Sequence, residues 1–216
     1  LDEITFITDS LKHWFPNAFV QTAIIKNYPI LAEERALVAS SVLSRQNEFA
    51  TGRWLARQGL RSLSFEDTPI GIGRLRNPLW PQAIIGTISH DGDFCAVVLQ
   101  KKTDNQVLGI GLDLVVLSPR TEQIGPLLSM FLTHEKELDA LSTVQTQIEP
   151  GLLLFSIKES VIKALSHRLS DFIDMRQVEI YYSDSLKFKL FGSEIQGSIY
   201  IANSDNYLLT AAITFE

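Results

Sequence analysis

Hydrophobic and polar positions along the chain change period several times, and each change marks an element. An apolar run, AFVQTAII (18–25), precedes a stretch from 31 to 64 that reads as mainly helical. Leu55, Leu60 and Leu63 give that stretch an apolar face, while Arg45, Phe49, Arg53 and Arg57 fall four apart in one row. The segment DTPIGIGRLRNPLWP follows, and its prolines and glycines exclude regular structure. Three strand-like runs come next: AIIGTIS (83–89), DFCAVVLQ (93–100) and VLGIGLDLVVL (107–117).

The second half repeats the order loosely. Helical spacing runs from about 121 to 141 and again from about 150 to 166. Thr133 is placed to cap a helix, with Glu135 and Glu137 in the first turn, where negative charge is favoured. Four strand candidates close the chain: QVEIYY, LKFKLF, GSIYIA and YLLTAAITF. The alternation in LKFKLF suits a half-exposed antiparallel strand. Each half reads as helices followed by a small antiparallel sheet. The pattern predicts an α+β protein of two similar, pseudo-twofold halves, 1–108 and 109–216, joined near Val107–Pro119.

Composition narrows the classes. With 45% hydrophobic and 20% charged residues over 216 positions, the chain can bury a sizeable core. A formal net charge of -6 argues against general nucleic-acid binding, which needs a basic face. Cys95, the only cysteine, sits in the apolar run FCAVVL and reads as a small buried hydrophobe. No disulfide can form within the chain, no signal-peptide pattern is present, and no apolar run approaches the ~20 residues of a membrane span. The expectation is a cytoplasmic protein.

Charged residues inside apolar runs carry the chemical information. In FSIKESVIKAL (155–165), Lys158, Glu159 and Lys163 lie among Leu, Ile, Val and Phe. Unpaired buried charge is costly, so these groups either pair structurally or await a charged ligand. Glu159 and Lys163 share a helix face at i,i+4 spacing. Asp113, inside GIGLDLVVL, either meets a cation such as a divalent metal or caps a strand end. Ser89-His90-Asp91 cannot form a hydrolase triad, because triad members converge from separate places. Ser89 and His90 can bind a phosphate or sugar at a strand end, or satisfy backbone groups in a turn. The histidines are scattered, which disfavours zinc. The pairs Gly71/Gly73 and Gly109/Gly111 lack a dinucleotide fingerprint. Arg45, Arg53 and Arg57 form either a solvated face or a phosphate clamp.

The order of these segments is more specific than any one of them. NPLWPQAIIGTISH, GIGLDL and FSIKESVIKA together resemble the phosphopantetheinyl transferases, particularly the two-half type that primes enterobactin-like (nonribosomal peptide) synthetases. SRQNEFATGRWLAR resembles that family's arginine-bearing helix, and the resemblance covers about residues 40 to 170. It implies transfer of the phosphopantetheine arm of coenzyme A to a serine of an apo acyl- or peptidyl-carrier protein, in a cleft between the halves of a monomer. Asp113 and Glu159 would hold Mg²⁺, and Lys163 would face a phosphate. Arg45, Arg53, Arg76, Ser89 and His90 would bind the nucleotide end of coenzyme A. Thr87 stands where the family's usual pattern has serine. Val115 stands where it has a second acid, which leaves two protein carboxylates for the metal. An inactive paralogue that binds coenzyme A or a carrier protein, and a metal-dependent hydrolase of nucleotide pyrophosphates, are the competing readings.

Overall fold

In the computed structural model, which describes residues 2–102 and 107–215, the chain begins with a helix that the hydrophobic pattern above leaves unassigned, α1 (Glu3–Trp14). Asp2 caps it by accepting from the Ile4 N–H, and Ile7 and Leu11, four apart, carry its buried side.

α1 belongs to the first of two compact units, Leu1–Thr103. The apolar run at 18–25 supplies β1 (Phe19–Ile24), and the helical stretch divides into α2 (Ala32–Ala36) and α3 (Leu43–Ser62). The proline- and glycine-rich segment contributes only an isolated bridge between Ile72 and Pro78. β2 (Ile84–Asp91) and β3 (Phe94–Lys101) follow, in an antiparallel sheet of order β1-β3-β2. The middle strand is the most apolar of the three, as its two paired edges require. Cys95 lies within it, fully buried, and burial pushes its thiol up to about 12. It packs as a hydrophobe and is not a nucleophile.

The second unit, Asp104–Glu216, opens on β4 (Val107–Val116). Val107 and Leu108 therefore belong with the second unit. The helical spacing expected from 121 to 141 resolves into short pieces, not one helix. α4 (Leu117–Ile124) runs into a 3₁₀ turn at Gly125–Leu127 that carries Pro126, and α5 (Leu128–Phe131) ends as Leu132 turns extended. α6 (Lys136–Ser142) then starts at Glu135, so Thr133 is not its N-cap. α7 (Pro150–Leu165) is the long helix of this unit. The four C-terminal strands form as the pattern predicts: β5 (Val178–Tyr182), β6 (Leu186–Leu190), β7 (Gln196–Asn203) and β8 (Tyr207–Phe215). Their sheet is antiparallel, in the order β4-β8-β7-β6-β5.

Both units follow one path. A leading strand passes to helices, and the final strand of the following meander returns beside the leader, β3 along β1 and β8 along β4. The α+β class is as expected, although the sheets have three and five strands.

α7 packs Leu154, Ile157, Val161 and Leu165 into a core shared with Phe188, Leu208 and Ala212. The Gly109/Gly111 pair has its explanation in this packing. A Cβ at Gly111 would stand 1.8 Å from the Ser160 carbonyl oxygen, and one at Gly109 would stand 2.1 Å from that of Ala164. Only hydrogen on these two residues lets α7 lie directly on β4.

Candidate active site

Side chains alternate along a strand, so Gly109, Gly111, Asp113 and Val115 share one face of β4. The glycines admit α7, and Asp113 is the next residue of that face. Ser156, Ser160 and Lys163 lie at i, i+4 and i+7 on the helix and so form one row. Ser160 sits over Gly111, while Ser156 and Lys163 both reach Asp113. Asp113 lies mid-strand, paired in register with Thr210, and is only 7% exposed. It is not a strand-end cap. Its Oδ1 lies 2.6 Å from Lys163 Nζ, and its Oδ2 accepts from Ser156 Oγ at 2.9 Å.

Glu159, one turn before Lys163, is half-buried. Burial raises its carboxyl above the usual range, Lys163 pulls it down, and the Asp113 carboxylate pushes it up again. These three groups therefore sense one another. Two desolvated carboxylates beside one ammonium make a place short of positive charge. Their hard oxygen donors suit a cation such as Mg²⁺ that keeps most of its water. Among the described residues, no group of three or more His, Cys, Asp or Glu side chains could hold a metal. Val115 is buried in the apolar core.

Lys158 differs from its neighbours in FSIKESVIKAL. It is fully buried, and Nζ donates to the Phe131 carbonyl at 2.7 Å, Thr133 Oγ1 at 2.8 Å and Glu137 Oε2 at 3.1 Å. Glu137 does not serve an exposed first turn. It is fully buried and also accepts from the Thr133 and Ile180 N–H groups. Lys158 thus ties the segment after α5, together with β5, to α7. Burial lowers its pKa, and the nearby Glu137 charge opposes that shift.

In the first unit, a cavity of about 240 Å³ is lined by Arg45, Glu48, Arg53, Arg76 and His90, with Phe49 and Ile88 as apolar wall. Arg45 Nη1 lies 2.7 Å from His90 Nε2 and donates to Glu48 at 3.0 Å. A guanidinium has only hydrogens to offer, so Nε2 accepts and the imidazole hydrogen sits on Nδ1, 3.5 Å from Glu48 Oε2. Arg53 is buried over the Phe49 ring and donates to the Ile70 and Gly71 carbonyls. Burial lowers its pKa to about 10, with Glu34 pulling the other way. Ser89 is buried on the opposite face of β2 from Ile88 and His90, so it does not line this cavity. Arg57 is also absent from the lining. It forms a buried two-pronged pair with Glu34, at 2.6 and 3.2 Å, and is a structural residue.

Two family models match this chain. Residues 33–100 match the 4′-phosphopantetheinyl transferase N-terminal domain, and residues 109–212 match the 4′-phosphopantetheinyl transferase superfamily. The chain belongs to this superfamily. The first match contains the Arg45–His90 cavity, and the second contains Asp113, Glu159 and Lys163. The 4′-phosphopantetheinyl transferase Svp of Streptomyces mobaraensis is 35% identical over 62% of this chain and 54% of its own length. Enterobactin synthase component D of Salmonella typhimurium is 31% identical over 58% of this chain and 50% of its own length. The matched region spans about half to two-thirds of the curated relatives. A holo-(acyl-carrier-protein) synthase of Bacillus anthracis, solved in complex with CoA (3′,5′-ADP), aligns with 51% of this chain and 98% of its own at 16% identity and a TM-score of 0.39.

Two residues of this superfamily member's second unit escape a reading by motif: Thr210, the register partner of Asp113, and Glu137, the buried partner of Lys158. Thr210 lies in an apolar strand, YLLTAAITF, where a threonine gives no signal of a role. Glu137 reads as a first-turn acid. Only the tertiary contact shows its partner.

Proposed function

We propose that this chain is a Mg²⁺-dependent 4′-phosphopantetheinyl transferase. It moves the phosphopantetheine arm of coenzyme A to a serine of an apo carrier protein, with 3′,5′-ADP as leaving group. The observation that carries the reading is the Asp113–Lys163–Glu159 cluster, in a chain of this superfamily. In the reaction, the serine oxygen forms a bond to the β-phosphorus while the bridging phosphoanhydride bond breaks. Such transfer depends on charge neutralisation and alignment more than on covalent help.

Asp113 and Glu159 would hold Mg²⁺, which would supply neutralising charge to the pyrophosphate. Lys163 offers an ammonium to the phosphate that departs. Glu159, held above the ordinary carboxylate range by burial, is suited to accept the serine proton. Arg45, Arg53, Arg76 and His90 bind the nucleotide end of coenzyme A, with the arginine forks suited to phosphate. The enzyme acts in the cytoplasm as a monomer on acyl- or peptidyl-carrier proteins, as in siderophore biosynthesis. Among the described residues, no helix is long and apolar enough to cross a membrane.

Val115 favours a second reading, an inactive relative that binds coenzyme A or a carrier protein. One assay separates the two. The protein is incubated with coenzyme A, Mg²⁺ and a panel of apo carrier proteins, and each carrier is weighed by mass spectrometry. A phosphopantetheine adduct that disappears in Asp113→Ala supports the transferase, and unmodified carriers throughout the panel sink it. Release of 3′,5′-ADP without carrier points to a hydrolase.

A further inference from the structure

Thr210 and Ser156 are buried hydroxyls with no place in the chemistry above, and both are fully excluded from solvent beside Asp113. Ser156 Oγ lies 2.9 Å from Asp113 Oδ2 and 2.9 Å from Thr210 Oγ1, and Thr210 Oγ1 also lies 2.9 Å from the Ser156 carbonyl oxygen. Each hydroxyl has one hydrogen, and an ionised carboxylate has none. The Ser156 hydrogen therefore goes to Asp113. Ser156 Oγ is then left as an acceptor, and the Thr210 hydrogen is shared between that oxygen and the Ser156 carbonyl. The chain of donation runs one way, from Thr210 through Ser156 to Asp113. Its end occupies Oδ2 and turns Oδ1 toward Lys163, 2.6 Å away.

We propose that Thr210 and Ser156 are positioning residues that fix the Asp113 carboxylate so that Oδ1 is the oxygen offered to a cation. The inference rests on the transferase reading, because the cation is the one that reading requires. A second layer of hydrogen bonds orients a ligand that would otherwise rotate. Thr210 can set this geometry without touching substrate, since it is the register partner of Asp113 on β8.

The test is Mn²⁺ affinity of the whole chain, read by electron paramagnetic resonance, for wild type, Thr210→Val, Thr210→Ser and Ser156→Ala. Circular dichroism selects the folded variants. Losing one such hydrogen bond is expected to weaken Mn²⁺ binding about fivefold in Thr210→Val and more in Ser156→Ala. Thr210→Ser keeps the hydroxyl and stays near wild type. In the transfer assay, the Mg²⁺ concentration for half-maximal rate rises, while the rate at saturating Mg²⁺ changes little. A Thr210→Ser that loses affinity while Thr210→Val keeps it assigns Thr210 to packing and overturns the proposal. So does unchanged affinity in both Thr210→Val and Ser156→Ala. Wild type that binds no Mn²⁺ removes the metal-site reading, and the positioning role with it. Wild type that binds Mn²⁺ without modifying any carrier overturns the transferase reading alone.

Discussion

Lys163 Nζ and Asp113 Oδ1 stand 2.6 Å apart, 50 residues apart in sequence, across the contact of α7 with β4. Glu159 feels both, with Lys163 drawing its pKa down and Asp113 pushing it up. Removing either charge must therefore move Glu159, and in opposite directions. Lys163→Met is expected to raise the Glu159 pKa further, and Asp113→Asn to lower it. Carbon-detected NMR titration of the Glu159 side chain in the two variants checks both signs. An unchanged pKa in both variants would show that burial alone sets this carboxyl.

The raised Glu159 pKa also has a consequence for stability. A carboxyl whose folded pKa exceeds its unfolded value favours the fold when protonated. That contribution is full below the unfolded value, near 4.5, and is lost as pH rises through the folded value. At neutral pH the ionised group is a burden that a bound cation would relieve. Glu159→Gln is thus expected to melt higher than wild type at pH 7.5, with the gain shrinking as pH falls toward 4.5. Thermal unfolding across that range, without divalent metal, measures it. A gain that grows toward acid pH would contradict the assignment.

Much of this site was legible before folding because it is local. FSIKESVIKAL is one helix, and the acid in GIGLDLVVL is conspicuous in an apolar strand. What was hidden depends on contacts distant in sequence. Glycine spacing at 109 and 111 lacks a dinucleotide fingerprint and gives no role by itself, whereas in the fold it serves the close approach of α7. Arg57 and Arg53 lie on one helical row, yet Glu34, far upstream, takes Arg57 into a buried pair and leaves Arg53 at the cavity. The break of helical spacing between 121 and 141 follows from Pro126 and from Thr133, whose hydroxyl bonds the Arg176 and Val178 carbonyls. A helix continuing through Thr133 would forfeit those bonds.

The Lys158–Glu137 pair is fully buried, with 2.9 Å between Nζ and Oε1. Truncating one partner leaves the other charged and uncompensated, which typically costs about 3–5 kcal/mol. Lys158→Met and Glu137→Gln are each expected to destabilise by that order in urea unfolding. The double variant should lose less than the sum, because neither charge is then stranded. Additive losses would mean that the two residues act separately, Lys158 through the Phe131 carbonyl and Glu137 through the Ile180 N–H.

Val115 shares the face of β4 that carries Asp113, two residues further on, but is only 5% exposed and packs in the core. Val115→Glu places a third carboxylate beside the first two at an apolar position. Without a cation its burial is unfavourable, and the acid adds to the repulsion that already raises Glu159. With Mg²⁺, the same carboxylate can replace a water in the cation's shell. The variant is therefore expected to melt below wild type in chelator and to gain more from added Mg²⁺ than wild type does. Its half-maximal Mg²⁺ concentration in carrier modification should fall. Thermal shift with and without Mg²⁺ separates the outcomes. Equal Mg²⁺ gains in variant and wild type would place the new carboxylate out of reach of the cation, so that water would already fill the position that Val115 leaves without an acid.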